Sequence, residues 1–337
     1  MSLAPSVPAA HSDTRMRAVL HTEYGEAHEV LRPGTSAIPL VTDTQVLVKV
    51  HSAGVDRGVW HLVTGLPLPV RLAGFGVRRP KNPIPGLDVA GTVVEVGSAV
   101  TNFSIGDEVF GIGISTFAEF AACRADKLAH RPANVTPQQA AVTAISGLTA
   151  LQAVRDQGRV RAGQSVLVIG ASGGVGSFAV QIAAAFGAQV TGVCSAKKAA
   201  AVSALGVQKV IAHEGGWSDG IRYDVIIDTG GNTPLRTLLR ALTSRGTLVI
   251  VGGETGGRML GGADRQLRGT LLSPFVKQRI AVFISSENAA DIEELGVMMA
   301  AGTVVPLIDR SFALDEAGEA IRYLAEGNAT GKVLISL

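Results

Sequence analysis

The clearest chemical signal in this chain is the stretch Ser165-Val-Leu-Val-Ile-Gly170-Ala-Ser-Gly-Gly-Val-Gly176, an apolar strand that turns through glycines into a helix. Within it, Ala171-x-Gly173-x-x-Gly176 follows the GxGxxG spacing with alanine in the first place. That pattern suits a dinucleotide. Gly173 lets the backbone approach a pyrophosphate, whose charge the helix N-terminus meets, and Gly176 lets the helix pack tightly on its strand. Ala171, Ser172, Gly173, Gly174, Val175 and Gly176 are therefore expected at a cofactor. The helix that follows is amphipathic, with Val175, Phe178, Ala179, Ile182 and Phe186 on one face, and Gly187 closes it.

The next strand refines the cofactor. A site for NADH usually places Asp or Glu at the end of this strand, on the ribose hydroxyls. Here the strand ends Gly192-Val-Cys194-Ser195-Ala-Lys197-Lys198, and no acid occurs before Glu214. A hydroxyl and ammonium groups favour a 2′-phosphate, which a carboxylate would repel. Ser195 and Lys198, with Lys197 as a further candidate, point to NADPH. The alternative leaves both lysines as a solvated first turn of the next helix.

These residues need a scaffold, and the pattern on either side of them supplies one. From residue 133 to 303 strands alternate with helices. Strands are expected at Ser165–Ile169, Gln189–Cys194, Lys209–Ala212, Asp224–Asp228, Thr247–Val251 and Ile280–Ile284, with helices at Val175–Phe186, Lys197–Leu205, Pro234–Leu242 and Ala290–Ala300. Continuously apolar strands with intervening helices describe a doubly wound parallel α/β sheet of the Rossmann kind. Residues 16–132 read instead as short strands with turn punctuation, and prolines 67, 69, 80, 83 and 85 mark a long loop over 65–86. The tail, 304–337, resembles this first region and is expected to complete it, while residues 1–15 are expected to be a disordered leader.

Bulk composition agrees with a two-domain enzyme. The 337 residues are 47% hydrophobic and 17% charged, with 41 glycines. A net charge of +2 gives no argument for nucleic acid or an anionic membrane. Two cysteines, Cys123 and Cys194, exclude a disulfide framework. There is neither a signal-peptide pattern nor a long apolar run, so a cytoplasmic protein is expected, with no membrane span.

Several motifs together resemble the medium-chain dehydrogenase/reductase superfamily, in its zinc-independent quinone oxidoreductase branch. They are Ile84-Pro-Gly-Leu-Asp-Val-Ala-Gly91, Gly106-Asp-Glu-Val-Phe-Gly111, Gly147-Leu-Thr-Ala150, the glycine turn and the ending Gly331-Lys-Val-Leu. The resemblance spans nearly the whole chain from residue 16. It implies a GroES-like β-rich catalytic domain (16–132 with 304–337), a Rossmann NADP-binding domain (133–303), an active site between them and a homodimer. It also implies that Thr149 lies near the nicotinamide, and that Gly230 and the loop Val251, Gly252, Gly253 close over the cofactor.

Zinc-dependent relatives ligate the metal through a cysteine, a His-Glu pair and a later cysteine. The corresponding positions here read Asp56, Leu87-Asp88, and a stretch over 131–193 without Cys or His. Three protein ligands are the minimum for a catalytic zinc, so none is expected. Conjugate reduction suits such a site, because the charge delivered with the hydride delocalises onto an oxygen that needs only a hydrogen bond or a proton. Where the branch commonly has asparagine this chain has Asp56, a candidate proton donor or an ionised partner for Arg57 or a cofactor hydroxyl. Trp60 is a candidate wall for a flat ring or a core side chain, and His61 is a further donor candidate. The expected activity is NADPH-dependent reduction of a small-molecule quinone or enone. The alternatives are an alcohol dehydrogenase that works with NADP and no zinc, and a non-catalytic NADPH-binding protein.

Overall fold

A computed structural model of the chain describes residues 15–252, 261 and 263–337. Of the leader expected over 1–15, all but Arg15 lies outside the described residues, and Arg15 begins a strand.

The first region is built from β1 (Arg15–Leu20), β2 (Arg32–Ala37), β3 (Gln45–Val55), β4 (Asp88–Val96), β5 (Glu108–Ile112), β6 (Phe120–Arg124) and β7 (Leu128–His130). The second holds β8 (Ser165–Ile169), β9 (Gln189–Cys194), β10 (Lys209–Ala212), β11 (Tyr223–Asp228), β12 (Leu242–Ile250) and β13 (Arg279–Val282), and the tail adds β14 (Ile308–Ala313) and β15 (Lys332–Ser336).

β8 to β13 form one parallel sheet in the order β10-β9-β8-β11-β12-β13. Val166, Leu167 and Val168 of β8 are fully buried, as strands covered on both faces must be. β8 lies between β9 and β11, so the chain winds away from it in both directions. A crevice opens at its carboxyl end, where ligands bind in this class of sheet. The helix Gly174–Ala185 starts there and buries Phe178, Ala179 and Ile182 against the sheet.

The other large sheet runs β14-β15-β3-β4-β5-β7, with β6 also paired to β3. Its core holds Val46, Val48, Val50, Val89, Val93, Val109 and Phe117. β15 lies antiparallel to β3 with Val333 opposite Val55, so the two tail strands join this sheet. The span 65–86 is not wholly irregular, because Arg71–Phe75 makes a short helical turn. Among the described residues no helix is long and apolar enough to cross a membrane.

Candidate functional site

β3 and β8 end, and β15 begins, around one cleft of about 640 Å³. The glycine turn forms one wall. Gly170 turns the chain out of β8 with φ +82, which favours glycine. Ser172, Gly173, Gly174 and Val175 line the cleft, whereas Ala171 and Gly176 do not. Gly176 packs behind the turn, where a Cβ would come within 2.0 Å of the Gly170 carbonyl oxygen. At Gly173 a Cβ would meet only that oxygen, at 3.3 Å, so the front of the turn is open. Gly173 is also the N-cap of the helix and has no side chain with which to cap its first amides. The same cradle continues across β11 and β12, where Gly230, Val251 and Gly252 line the cleft, and Gly253 lies outside the described residues. Asp228 holds the Gly230 loop from below. Its Oδ1 accepts from the Gly231 N–H at 3.1 Å and its Oδ2 pairs with Arg265.

At the end of β9 the Ser195 hydroxyl oxygen is buried and has no hydrogen-bond partner among the described residues. Lys198 lines the cleft, and its Nζ donates to the carbonyls of Gly327 and Ala329, at 2.8 and 2.6 Å. The acid missing from the sequence at this point arrives from the next strand. Beyond β10, Glu214 accepts from the Ala196 N–H at 2.9 and 3.1 Å. That hydrogen bond, helped by the charges of His213 and Lys197, holds the Glu214 carboxyl below its ordinary range. A carboxylate therefore stands one residue from Ser195, on an element that sequence spacing assigns elsewhere.

The opposite wall is the helix Arg57–Thr64. Asp56 is its N-cap, and Oδ1 accepts from the Val59 N–H at 3.1 Å. Asp56 is 5% exposed and lines the cleft, and its Oδ2 is buried without a partner among the described residues. A buried carboxylate oxygen left in that state favours a ligand that brings a donor. Trp60 both lines the cleft and packs against the first core, so its two readings coexist. The Arg57 guanidinium lies 5.2 Å from its ring centroid. His61 lines the cleft and donates Nδ1–H to the Leu66 carbonyl at 2.6 Å. In the neutral ring that bond makes Nε2 an acceptor, so His61 serves as a donor only when protonated. Leu66, Pro67 and Ile145 complete an apolar surface here, and Thr149 lines the cleft with its hydroxyl donated to the Ile145 carbonyl at 2.8 Å.

Lys332 and Ser146 also line this cleft, and neither is among the site residues expected from the sequence. Lys332 is 1% exposed, and its Nζ donates to Ser146 Oγ at 3.0 Å and to Asp88 Oδ2 at 3.3 Å. Asp88 is 0% exposed and accepts from the Ile145 N–H at 2.7 Å. Asp88 is raised to about 7: burial raises it most, Lys332 pulls it partly back, and the like charge of Asp56 adds to the rise. Gly331-Lys-Val-Leu marks Lys332 as a landmark, but its partner lies 244 residues away and no local spacing connects the two. Among the described residues no group of three or more His, Cys, Asp or Glu is arranged to hold a metal ion.

Two family models match the chain. One is an alcohol dehydrogenase GroES-like domain, over residues 42–222, and the other a zinc-binding dehydrogenase, over 205–335. The quinone oxidoreductase of Mus musculus is 31% identical over 96% of this chain and 98% of its own. The 2-methylene-furan-3-one reductase of Solanum lycopersicum is 28% identical over 96% of this chain and 79% of its own. The solved quinone oxidoreductase of Coxiella burnetii superposes with a TM-score of 0.81 at 27% identity, covering 96% of this chain and all of that one.

Proposed function

The chain belongs to the medium-chain dehydrogenase/reductase superfamily, in its quinone oxidoreductase branch, and is an oxidoreductase working with a nicotinamide cofactor; on that premise we propose that it uses NADPH to reduce a quinone or an α,β-unsaturated carbonyl without a metal. One observation carries the reading: a single cleft joins the open glycine turn to an apolar wall of Trp60, Leu66, Pro67 and Ile145. The bound cofactor supplies the hydride. The chain's own residues hold the dinucleotide at Ser172–Val175, orient a flat acceptor along that wall and exclude water from it. The absence of a cysteine at Asp56 and of a histidine at Leu87 supports chemistry that needs no zinc. The tomato relative's name describes an enone substrate, which fits the same acceptor class.

The test is NADPH oxidation by purified protein treated with a chelator, against a panel of quinones and enones. Turnover with either class bears the proposal out. No turnover with any of them, alongside alcohol-dependent NADP reduction, would replace it with an alcohol dehydrogenase. NADPH binding with no reaction at all would leave a non-catalytic binding protein.

Asp56 is the candidate contact to the ligand at the reacting end. Asp56→Ala removes a charged hydrogen-bond partner, at about 1.5–3 kcal/mol, and should lower kcat/KM on the order of 10- to 100-fold. Asp56→Asn keeps the helix cap, so comparing the two separates charge from folding. Full activity in the alanine variant would remove Asp56 from the site.

Preference for NADPH is assigned to Ser195, whose buried hydroxyl has no hydrogen-bond partner among the described residues, and to the Lys198 ammonium that lines the cleft beside it; both suit a 2′-phosphate. In the Ser195→Ala, Lys198→Ala double variant KM for NADPH should rise on the order of 10- to 100-fold, from about 1.5–3 kcal/mol of lost charged hydrogen bonds, with KM for NADH little changed. Glu214→Gln should strengthen the preference, because it removes the nearby repelling charge. Equal changes for both cofactors in the double variant would sink this assignment.

A further inference from the structure

The floor of the cleft contains an ion pair that hydride transfer does not require. A Cβ at Gly174 would meet Lys332 Cδ and Ser146 Oγ, each at 3.2 Å, so both side chains lie against the turn expected to receive a pyrophosphate. Strand register brings their partner there. Val333 faces Val55 across β15 and β3, which puts Lys332 beside Asp56. Ser52 faces Ala90 across β3 and β4, which puts Asp88 beside Gly54, where a Cβ would lie 2.7 Å from Asp88 Oδ2. Asp88 is thus faced by Lys332 from β15, by Asp56 from the end of β3, and by the Ile145 N–H from the helix Ala144–Gln152.

We propose that Asp88 is the positioning residue that holds Lys332 against the pyrophosphate turn, and that it takes up a proton when a dinucleotide binds. This rests on the reading of the cleft as a dinucleotide site. In the empty cleft the Lys332 ammonium compensates the buried Asp88 carboxylate. A pyrophosphate adds two negative charges on the far side of that ammonium, in a place where water screens them poorly. The positive potential at Asp88 falls, and a proton from solvent restores neutrality. Burial and Asp56 outweigh Lys332 and leave Asp88 raised to about 7, so near-neutral pH lies within reach of this added charge. The sign follows from linkage. Proton uptake makes binding weaken as pH rises above about 7, by up to tenfold per pH unit, until the value of Asp88 in the complex is passed.

The test is calorimetric titration of the full chain with NADPH in buffers of different ionisation enthalpy, between about pH 6 and 9. Asp88→Asn cannot titrate, and its one amide oxygen keeps the bond from the Ile145 N–H while the acceptor for Lys332 is lost. The wild type should take up more protons than this variant above pH 7, and the variant's affinity should not share the wild type's fall. The 2′-phosphate of NADPH titrates near about pH 6 and cancels in that difference. An infrared band of a protonated carboxyl should grow when NADPH is added to the wild type and be missing from the variant. If Asp88→Asn does not fold, the Asp88→Asn, Lys332→Met double variant takes its place in both comparisons. Equal proton counts in wild type and variant, or no new carboxyl band, overturn the inference while leaving cofactor binding intact. No NADPH binding by the wild type overturns the inference and the cofactor reading together.

Discussion

Lys332→Met destabilises the protein by about 1–2 kcal/mol at pH 8, because Asp88 without its partner must take up a proton, at about 1.4 kcal/mol per pH unit above its wild-type value of about 7. Asp88 has no exposure and keeps one backbone donor, the Ile145 N–H, while Asp56 repels it. Methionine replaces the lysine stem, so the loss is chiefly electrostatic. The pH dependence identifies the cause. A carboxyl raised in the folded state binds its proton more tightly there than in the unfolded chain. Stability therefore falls as pH climbs from the ordinary carboxylate range through the folded value, which for Asp88 is about 7. Without Lys332 that folded value moves higher, and the fall continues further into alkali. The deficit against wild type should shrink near pH 5, where Asp88 is protonated in both proteins. Adding Asp88→Asn should recover most of the loss, because a buried pair replaced by neutral groups is often neutral in cost. Urea midpoints at the two pH values read this directly, and a deficit that ignores pH would assign the loss to packing instead.

Gly176→Ala and Gly173→Ala should fail in different ways. At Gly176 the new Cβ would lie 2.0 Å from the Gly170 oxygen, 2.7 Å from its carbonyl carbon and 2.9 Å from Ala171 Cα. All three are backbone atoms, so the turn has to open, at about 1–3 kcal/mol of overpacking. Ser172–Val175 shift with it. A misplacement of about 1 Å can cost on the order of 10²-fold in turnover, and this variant should lose both stability and activity. At Gly173 the nearest atom is the Gly170 oxygen at 3.3 Å and φ is −83°, so alanine asks that oxygen to yield only slightly, far less than the clash at Gly176. Its methyl instead stands where a pyrophosphate would approach, and NADPH affinity should drop with little change in thermal stability. Unaltered NADPH affinity in Gly173→Ala would show that the turn is structural only.

Much of the Rossmann half is legible from spacing. β8, β9 and β10 lie at the ends expected from their apolar runs, and the helix after the turn begins within one residue of its expected start. These elements are written in local patterns of period and punctuation, which need no knowledge of distant partners. The helix Arg57–Thr64 and its cap at Asp56 were not among the expected elements, although an aspartate before a helical run is a common N-cap. Glu214 was less legible still. It lies 18 residues from Ala196, and only the side-by-side pairing of β9 and β10 brings its carboxylate to that amide. Judged along the sequence, the end of β9 has no acid. Judged in space, it has one.

The glycine turn, its strand and its helix follow from the residue order alone, because each step depends on neighbours a few positions away. The charge environment of the cleft does not. Asp56, Asp88 and Lys332 come from the ends of three strands, and the pairings of β3 with β4 and with β15 set their distances. Sheet register is a long-range property, fixed by packing across the whole core. For that reason the chain's own letters announce a dinucleotide turn, while the buried ammonium beside it emerges only once the last strand has found its place against β3.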